Sequence, residues 1–173
     1  MGGSKVFQIV GFQNSGKTTL IEKLIKAGNE KGLRIGTIKH HGHGGPIDLP
    51  NLNKDSNRHS RAGSIVSSVA GEGTLLIEAP KDDWGLEDII QVYHRFELDL
   101  ILVEGYKKSP YPKAVMIRNK EDLSLLNRLK NIQTVISWFP IETNYPVFLH
   151  TQVDDFIVFF YKDLFSNFGG NNR

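Results

Sequence analysis

Apolar residues follow two rhythms along this chain. Continuous runs at residues 6–10, 33–39, 98–105, 114–118, 132–137 and 146–149 read as strands. Between them, Leu20, Ile21, Leu24 and Ile25 recur at helical spacing, as do Leu86, Ile89, Ile90, Tyr93 and Phe96. Leu123, Leu126 and Leu129 predict a helix over residues 121–130. A last helix starts near Thr151, with Thr151 and Asp154 patterned as a capping box. Its stripe of Val153, Phe156, Ile157, Phe160, Leu164 and Phe168 reads as core packing or a subunit contact. The run at 98–105 is apolar without alternation, as a strand covered on both faces requires. Strands alternating with helices predict an α/β fold, a three-layer sandwich with a mostly parallel sheet and helices on both faces. Residues 64–70 and 74–79, joined by Gly71-Glu72-Gly73, add a small β-hairpin. The chain reads as one domain over residues 1–168 with a disordered tail at 169–173.

The strongest chemical signal lies between the first strand and the first helix. Gly11-Phe12-Gln13-Asn14-Ser15-Gly16-Lys17-Thr18 fits G-x-x-x-x-G-K-[ST], the phosphate-binding loop of nucleoside triphosphatases. Its glycines permit backbone shapes and close approaches that a Cβ would block. Unpaired amides at the helix start then point at phosphate, backed by the positive end of the helix dipole. Lys17 offers a compact charge to the β- and γ-phosphates, and Thr18 a hydroxyl to Mg²⁺. The motif speaks for triphosphate binding. It leaves the base and the reaction open.

Composition narrows the picture only a little. The 173 residues suit a single domain with a sizeable core, and a formal charge of +2 creates no strong pull toward nucleic acid or membrane. The absence of cysteine excludes disulfides and thiolate chemistry, and it suits a cytoplasmic setting. No apolar run reaches the ~18 residues of a membrane span.

Ligands of parallel sheets bind beyond the carboxyl ends of the strands, so the residues that close each strand are the next candidates. Glu104 ends the run 98–105 and is the candidate for holding Mg²⁺ together with Thr18, or for orienting an attacking water. Asp48 and Asp55 are rival acids. His40, His41 and His43 lie in a long glycine-rich loop, and no cysteine or well-spaced acid completes a zinc set with them. They read as polar contacts to a ligand or partner. Lys39, Lys54, Arg58 and Arg61 add phosphate donors, or form a solvated basic face. Asn119-Lys120-Glu121-Asp122 matches the N-K-x-D pattern that reads guanine, in which the Asp carboxylate accepts two hydrogen bonds. The same four residues could instead cap the following helix.

These residues together resemble the molybdopterin-guanine dinucleotide biosynthesis protein B family, MobB. The resemblance runs from residue 6 to about 118. It rests on the loop from Gly11 through Thr19, on Ile38-Lys39-His40-His41, and on Lys54-Asp55-Ser56 with Arg58-His59 and Ala62-Gly63. The strand at 100–105 with Lys107 completes it. The resemblance implies a homodimeric GTP-binding accessory protein with weak Mg²⁺-dependent GTPase activity. It would act in molybdenum cofactor biosynthesis beside MobA, the guanylyltransferase that joins GMP to molybdopterin. It implies that Gly11, Gln13, Asn14, Ser15, Gly16, Lys17, Thr18 and Thr19 bind the nucleotide, with Glu104 near the metal. Lys39, His40, His41, Asp55 and Arg58 would face molybdopterin, its guanine dinucleotide or the partner. It does not extend to Asn119, Lys120 and Asp122. Two other classes stay open: a small-molecule kinase sharing the loop, and a non-catalytic carrier of the pterin dinucleotide.

Overall fold

The computed structural model describes residues 4–42 and 54–167, and for 54–57, 164 and 167 the backbone alone. The chain divides into two compact units: residues 1–42 with 86–173, and residues 43–85. The expected tail, and Asp48 and His43 of the glycine-rich loop, lie outside the described residues.

The first unit is built on six strands: β1 (Lys5–Val10), β2 (Ile35–Lys39), β5 (Leu100–Glu104), β6 (Lys113–Ile117), β7 (Ile132–Ser137) and β8 (Val147–Leu149). Their order is β2-β5-β1-β6-β7-β8, and every neighbouring pair is parallel. The strand register explains the unbroken apolar run. Leu100 and Leu102 join Phe7, Ile9, Ala114 and Met116 on one face, under Leu20 and Leu24 of helix α1 (Lys17–Asn29). Ile101 and Val103 turn to the other face, against Leu86 and Ile90 of α3 (Leu86–Tyr93). Farther along that face, Val10, Val115, Ile117 and Val135 pack with Leu125 of α4 (Ser124–Arg128). Both faces are covered, as a parallel sheet demands.

The carboxyl-terminal segment departs from the expected single helix. A 3₁₀ turn at His150–Gln152 comes first, then α5 (Val153–Phe159), a π-helical turn at Phe160–Leu164, and α6 (Phe165–Asn167). Thr151 and Asp154 are not its cap. The Gln152 side chain takes that place, accepting from the Leu149 amide at 2.9 Å. Asp154 is left exposed and pairs with Lys23 at 3.4 Å. The described part of the apolar stripe is core: Phe156 and Phe160 are fully buried against α1 and the sheet, with Val153 and Ile157 partly buried beside them, while the Leu164 side chain and Phe168 lie outside the described residues. The π turn inserts an extra residue per turn, and Tyr161 is also buried, its hydroxyl donating to the Leu24 carbonyl at 2.5 Å.

The second unit holds α2 (Lys54–Arg61) and an antiparallel pair, β3 (Ser67–Gly71) and β4 (Thr74–Glu78). The Glu78 carboxylate accepts from the Ser60 hydroxyl at 2.8 Å and from Ser67 at 3.3 Å, tying helix to hairpin. The hairpin begins later than the sequence pattern suggests: Ile65 and Val66 precede it and are exposed.

Candidate phosphate-binding site

The loop between β1 and α1 has no space for other residues at its first glycine. A Cβ on Gly11 would lie 2.6 Å from the Ser15 hydroxyl and 3.0 Å from the Met116 carbonyl. Asn14 (φ 59°) and Gly16 (φ 90°) both adopt left-handed backbone, which wraps the loop before the helix begins. Gly16 precedes α1 without a side-chain cap, and the first turn of α1 carries no acid. The helix itself therefore sets no acid against the positive end of its dipole, an electrostatic setting that favours an anion.

The Lys17 ammonium donates to the Phe12 carbonyl at 2.6 Å and to the Ser15 hydroxyl at 3.5 Å, so the lysine folds back over its own loop. Burial pushes its pKa below the usual 10.5; Glu104 opposes that shift, and Lys107 and Lys39 add to it. A phosphate arriving among these three cations relieves their mutual repulsion. Lys107 was noted in the sequence only as part of a resemblance. Its ammonium lies 4.3 Å from the Phe12 ring centre, above the loop.

Glu104 reaches the same place from β5. The Thr18 hydroxyl donates to its Oε2 at 3.0 Å, and Lys39 lies 3.7 Å from the same oxygen. Hydroxyl and carboxylate thus converge, and both are hard oxygen donors that suit Mg²⁺, which keeps several of its ligands as phosphate and water. Among the described residues no group of three His, Cys, Asp or Glu side chains could hold a metal by itself.

The turn that follows Glu104 is held from below. Gly105 and Tyr106 both have left-handed backbone, at φ 94° and 49°. Their carbonyls accept from the Gln8 side-chain amide at 3.0 and 2.8 Å. Gln8 is fully buried, and its side-chain oxygen Oε1 has no hydrogen-bond partner among the described residues. A polar side chain in the middle of an apolar strand was the available signal for this support, and the sequence reading passed over it. A Cβ at Gly105 would meet the His40 Cβ at 2.9 Å, and the His40 ring lies against Tyr106 at 4.6 Å. His40 therefore touches the turn while remaining exposed, as Lys39 and His41 are beside it. Asp55 and Arg58 belong to α2 in the second unit; Arg58 is exposed, and the Asp55 side chain lies outside the described residues.

Asn119, Lys120 and Asp122 follow β6, and here the capping alternative is the one built. Asp122 is 4% exposed, and its Oδ2 accepts from the Arg118 amide at 2.7 Å and the Asn119 amide at 3.2 Å. The carboxylate closes the 3₁₀ turn at Lys120–Leu123. The sequence reading also missed Arg118, which donates to the Asn14 carbonyl of the loop at 2.7 Å.

A glycine-rich loop joining the first strand to the first helix, with an acid closing the adjoining parallel strand, defines the fold of the phosphate-loop nucleoside triphosphatases. Comparison with known proteins narrows this class. Residues 6–138 match the family model of MobB, molybdopterin guanine dinucleotide synthesis protein B. A relative from Bacillus subtilis, a probable molybdopterin-guanine dinucleotide biosynthesis adapter protein, is 44% identical over 131 residues, covering 76% of this chain and 75% of that protein. The Escherichia coli adapter protein is 35% identical, covering 69% and 70% of the two chains. The crystal structure of a MobB homologue from Bacillus stearothermophilus superposes with a TM-score of 0.76 at 35% identity, over 94% of this chain and 99% of that one. That of Bacillus subtilis MobB gives 0.73 at 39% identity, over 89% and 96%. The chain belongs to the MobB family.

Proposed function

We propose that this protein is an adapter in the synthesis of molybdopterin guanine dinucleotide that binds GTP with Mg²⁺ and hydrolyses it weakly. The observation that carries the reading is the meeting of Lys17, Thr18 and Glu104 at the start of α1. Lys17 and the loop amides would hold the β- and γ-phosphates. Thr18 and Glu104 would hold the metal, whose chemistry is to neutralise phosphate charge. Glu104 is the candidate for orienting water. Lys39, His40 and His41 border this site and are available to a pterin or a partner. In this reading the partner is the guanylyltransferase MobA and the setting the cytoplasm; the relatives' description as biosynthesis adapters supports a partner within that synthesis. No helix among the described residues is long and apolar enough to cross a membrane.

The proposal includes a homodimer. Leu75 and Ile77 share one face of β4 and are exposed, and a second copy of the chain would cover that face; Leu76 on the other face and Ile65 and Val66 before the hairpin are exposed as well.

Equilibrium binding of GTP, ATP and the pterin dinucleotide tests the reading, with and without Mg²⁺, on wild type and Lys17→Ala. The expected result is Mg²⁺-dependent GTP binding that weakens on the order of 10- to 100-fold in the variant, the loss of a charge-assisted contact. Preference for ATP with rapid transfer to an acceptor would make the protein a kinase. Dinucleotide binding that GTP cannot displace would make it a carrier.

A further inference from the structure

Strand order sorts the site into two sides. β5 and β2 lie to one side of β1 and bring Glu104 and Lys39; β6, β7 and β8 lie to the other. On that second side, the first residues past the three strands are Arg118, Trp138 and His150. They meet. The guanidinium carbon of Arg118 lies 5.3 Å from the Trp138 ring centre, while its Nη1 holds the Asn14 carbonyl. The Trp138 and His150 rings stack with centroids 4.3 Å apart and planes only 5° from parallel. Trp138 is 42% exposed and packs in none of the described hydrophobic clusters.

We propose that Trp138 and His150 form the stacking platform for the base of the nucleotide whose phosphates the loop holds, with Arg118 linking loop and platform. The inference rests on the phosphate-loop reading and adds to it the place of the base. Three arguments support it. The acid and its neighbouring lysine occupy the β5–β2 side, which leaves the β6–β8 side for the uncharged end of the ligand. β7 lies two strands from β1, about 10 Å at the usual strand spacing, a distance that a ribose and its first phosphate bridge. Finally, a flat, half-exposed tryptophan outside the core, backed by a parallel imidazole, offers what a base needs and no apolar packing requires.

Stacking accepts every base, so this platform binds without choosing between guanine and adenine. Arg118 spans the gap between the loop's backbone and the ring. Its guanidinium lies over the Trp138 ring and would give way to a base stacking on that face.

The test is calorimetric binding of GTP, ATP and inorganic tripolyphosphate, each with Mg²⁺, to wild type, Trp138→Ala, Trp138→Phe and Lys17→Ala. Trp138→Ala should weaken GTP and ATP alike, by about tenfold, the usual order for one stacked base. It should leave tripolyphosphate binding unchanged, and Trp138→Phe should restore most of the nucleotide affinity. Trp138→Ala binding GTP as well as wild type, or losing tripolyphosphate by the same factor, would overturn the platform. If Lys17→Ala weakens all three ligands in that case, the phosphate reading survives alone. If Lys17→Ala weakens none of them, both readings fall.

Discussion

β5 and β4 are apolar strands of equal length that end up in opposite surroundings. Leu100, Ile101, Leu102 and Val103 of β5 are fully buried, whereas Leu75, Leu76 and Ile77 of β4 are 54%, 48% and 54% exposed. Side-chain chemistry is nearly the same. Cover is what differs. β5 has a strand on each edge and helices on both faces, while β4 pairs with β3 alone among the described residues. An apolar run therefore marks a strand that needs cover and does not say where the cover comes from. A two-stranded ribbon is marginal by itself, and a contiguous exposed apolar patch marks a contact surface. One unit completes its core within the chain; the other leaves apolar side chains exposed, and the proposed homodimer would cover them.

Substitutions on the two sides of this contrast should behave oppositely. The largest effect belongs to the closed core. Phe156 is fully buried between Phe148 and Phe160, with ring centroids 5.6 and 6.0 Å away. Phe156→Ala should cost about 3–5 kcal/mol in urea unfolding, a large part of the stability of a domain this size. A cost under 1 kcal/mol would mean that the last helices are dispensable to the core. On the open side, Leu75→Glu with Ile77→Glu places two charges on one face of β4. Unfolding measured at low protein concentration should move by only about 0.5 kcal/mol, as for other surface changes. The sedimenting mass should instead fall to that of one chain, 19.5 kDa. Wild type already sedimenting at that mass would sink the second-copy reading.

The same contrast explains what could be read in advance. β1, the loop and α1 were legible because the motif's residues are contiguous and each has a local task. Glu104 was legible because the acid closes an apolar run, and the register does set it beside Thr18. What escaped depends on partners distant in sequence. Trp138 and His150 meet only because β7 and β8 are neighbours, which no local pattern reveals. Gln8 reads as an oddity in a buried strand until the turn at Gly105–Tyr106 lies over it. The cap at Thr151–Asp154 failed for a local reason: Gln152 caps from the Leu149 amide and starts the helical segment two residues earlier.

The smallest predicted effect separates a cap from a base reader. To read guanine, Asp122 would have to present both carboxylate oxygens to the base. Instead it is buried, with Oδ2 engaged by two backbone amides. Asp122→Asn should therefore cost about 1 kcal/mol of stability, typical of a weakened cap. It should leave the preference for GTP over xanthosine triphosphate unchanged. A slight loss of affinity for both nucleotides is expected, because the Arg118 amide is one of the two that Asp122 holds and the Arg118 side chain braces Asn14. A switch of preference toward xanthosine triphosphate would mean that the turn opens on binding and that Asn119 to Asp122 read the base after all. In that case Trp138 and His150 would stack beneath a base chosen by their neighbour, and adding Trp138→Ala would weaken both nucleotides without changing that preference further.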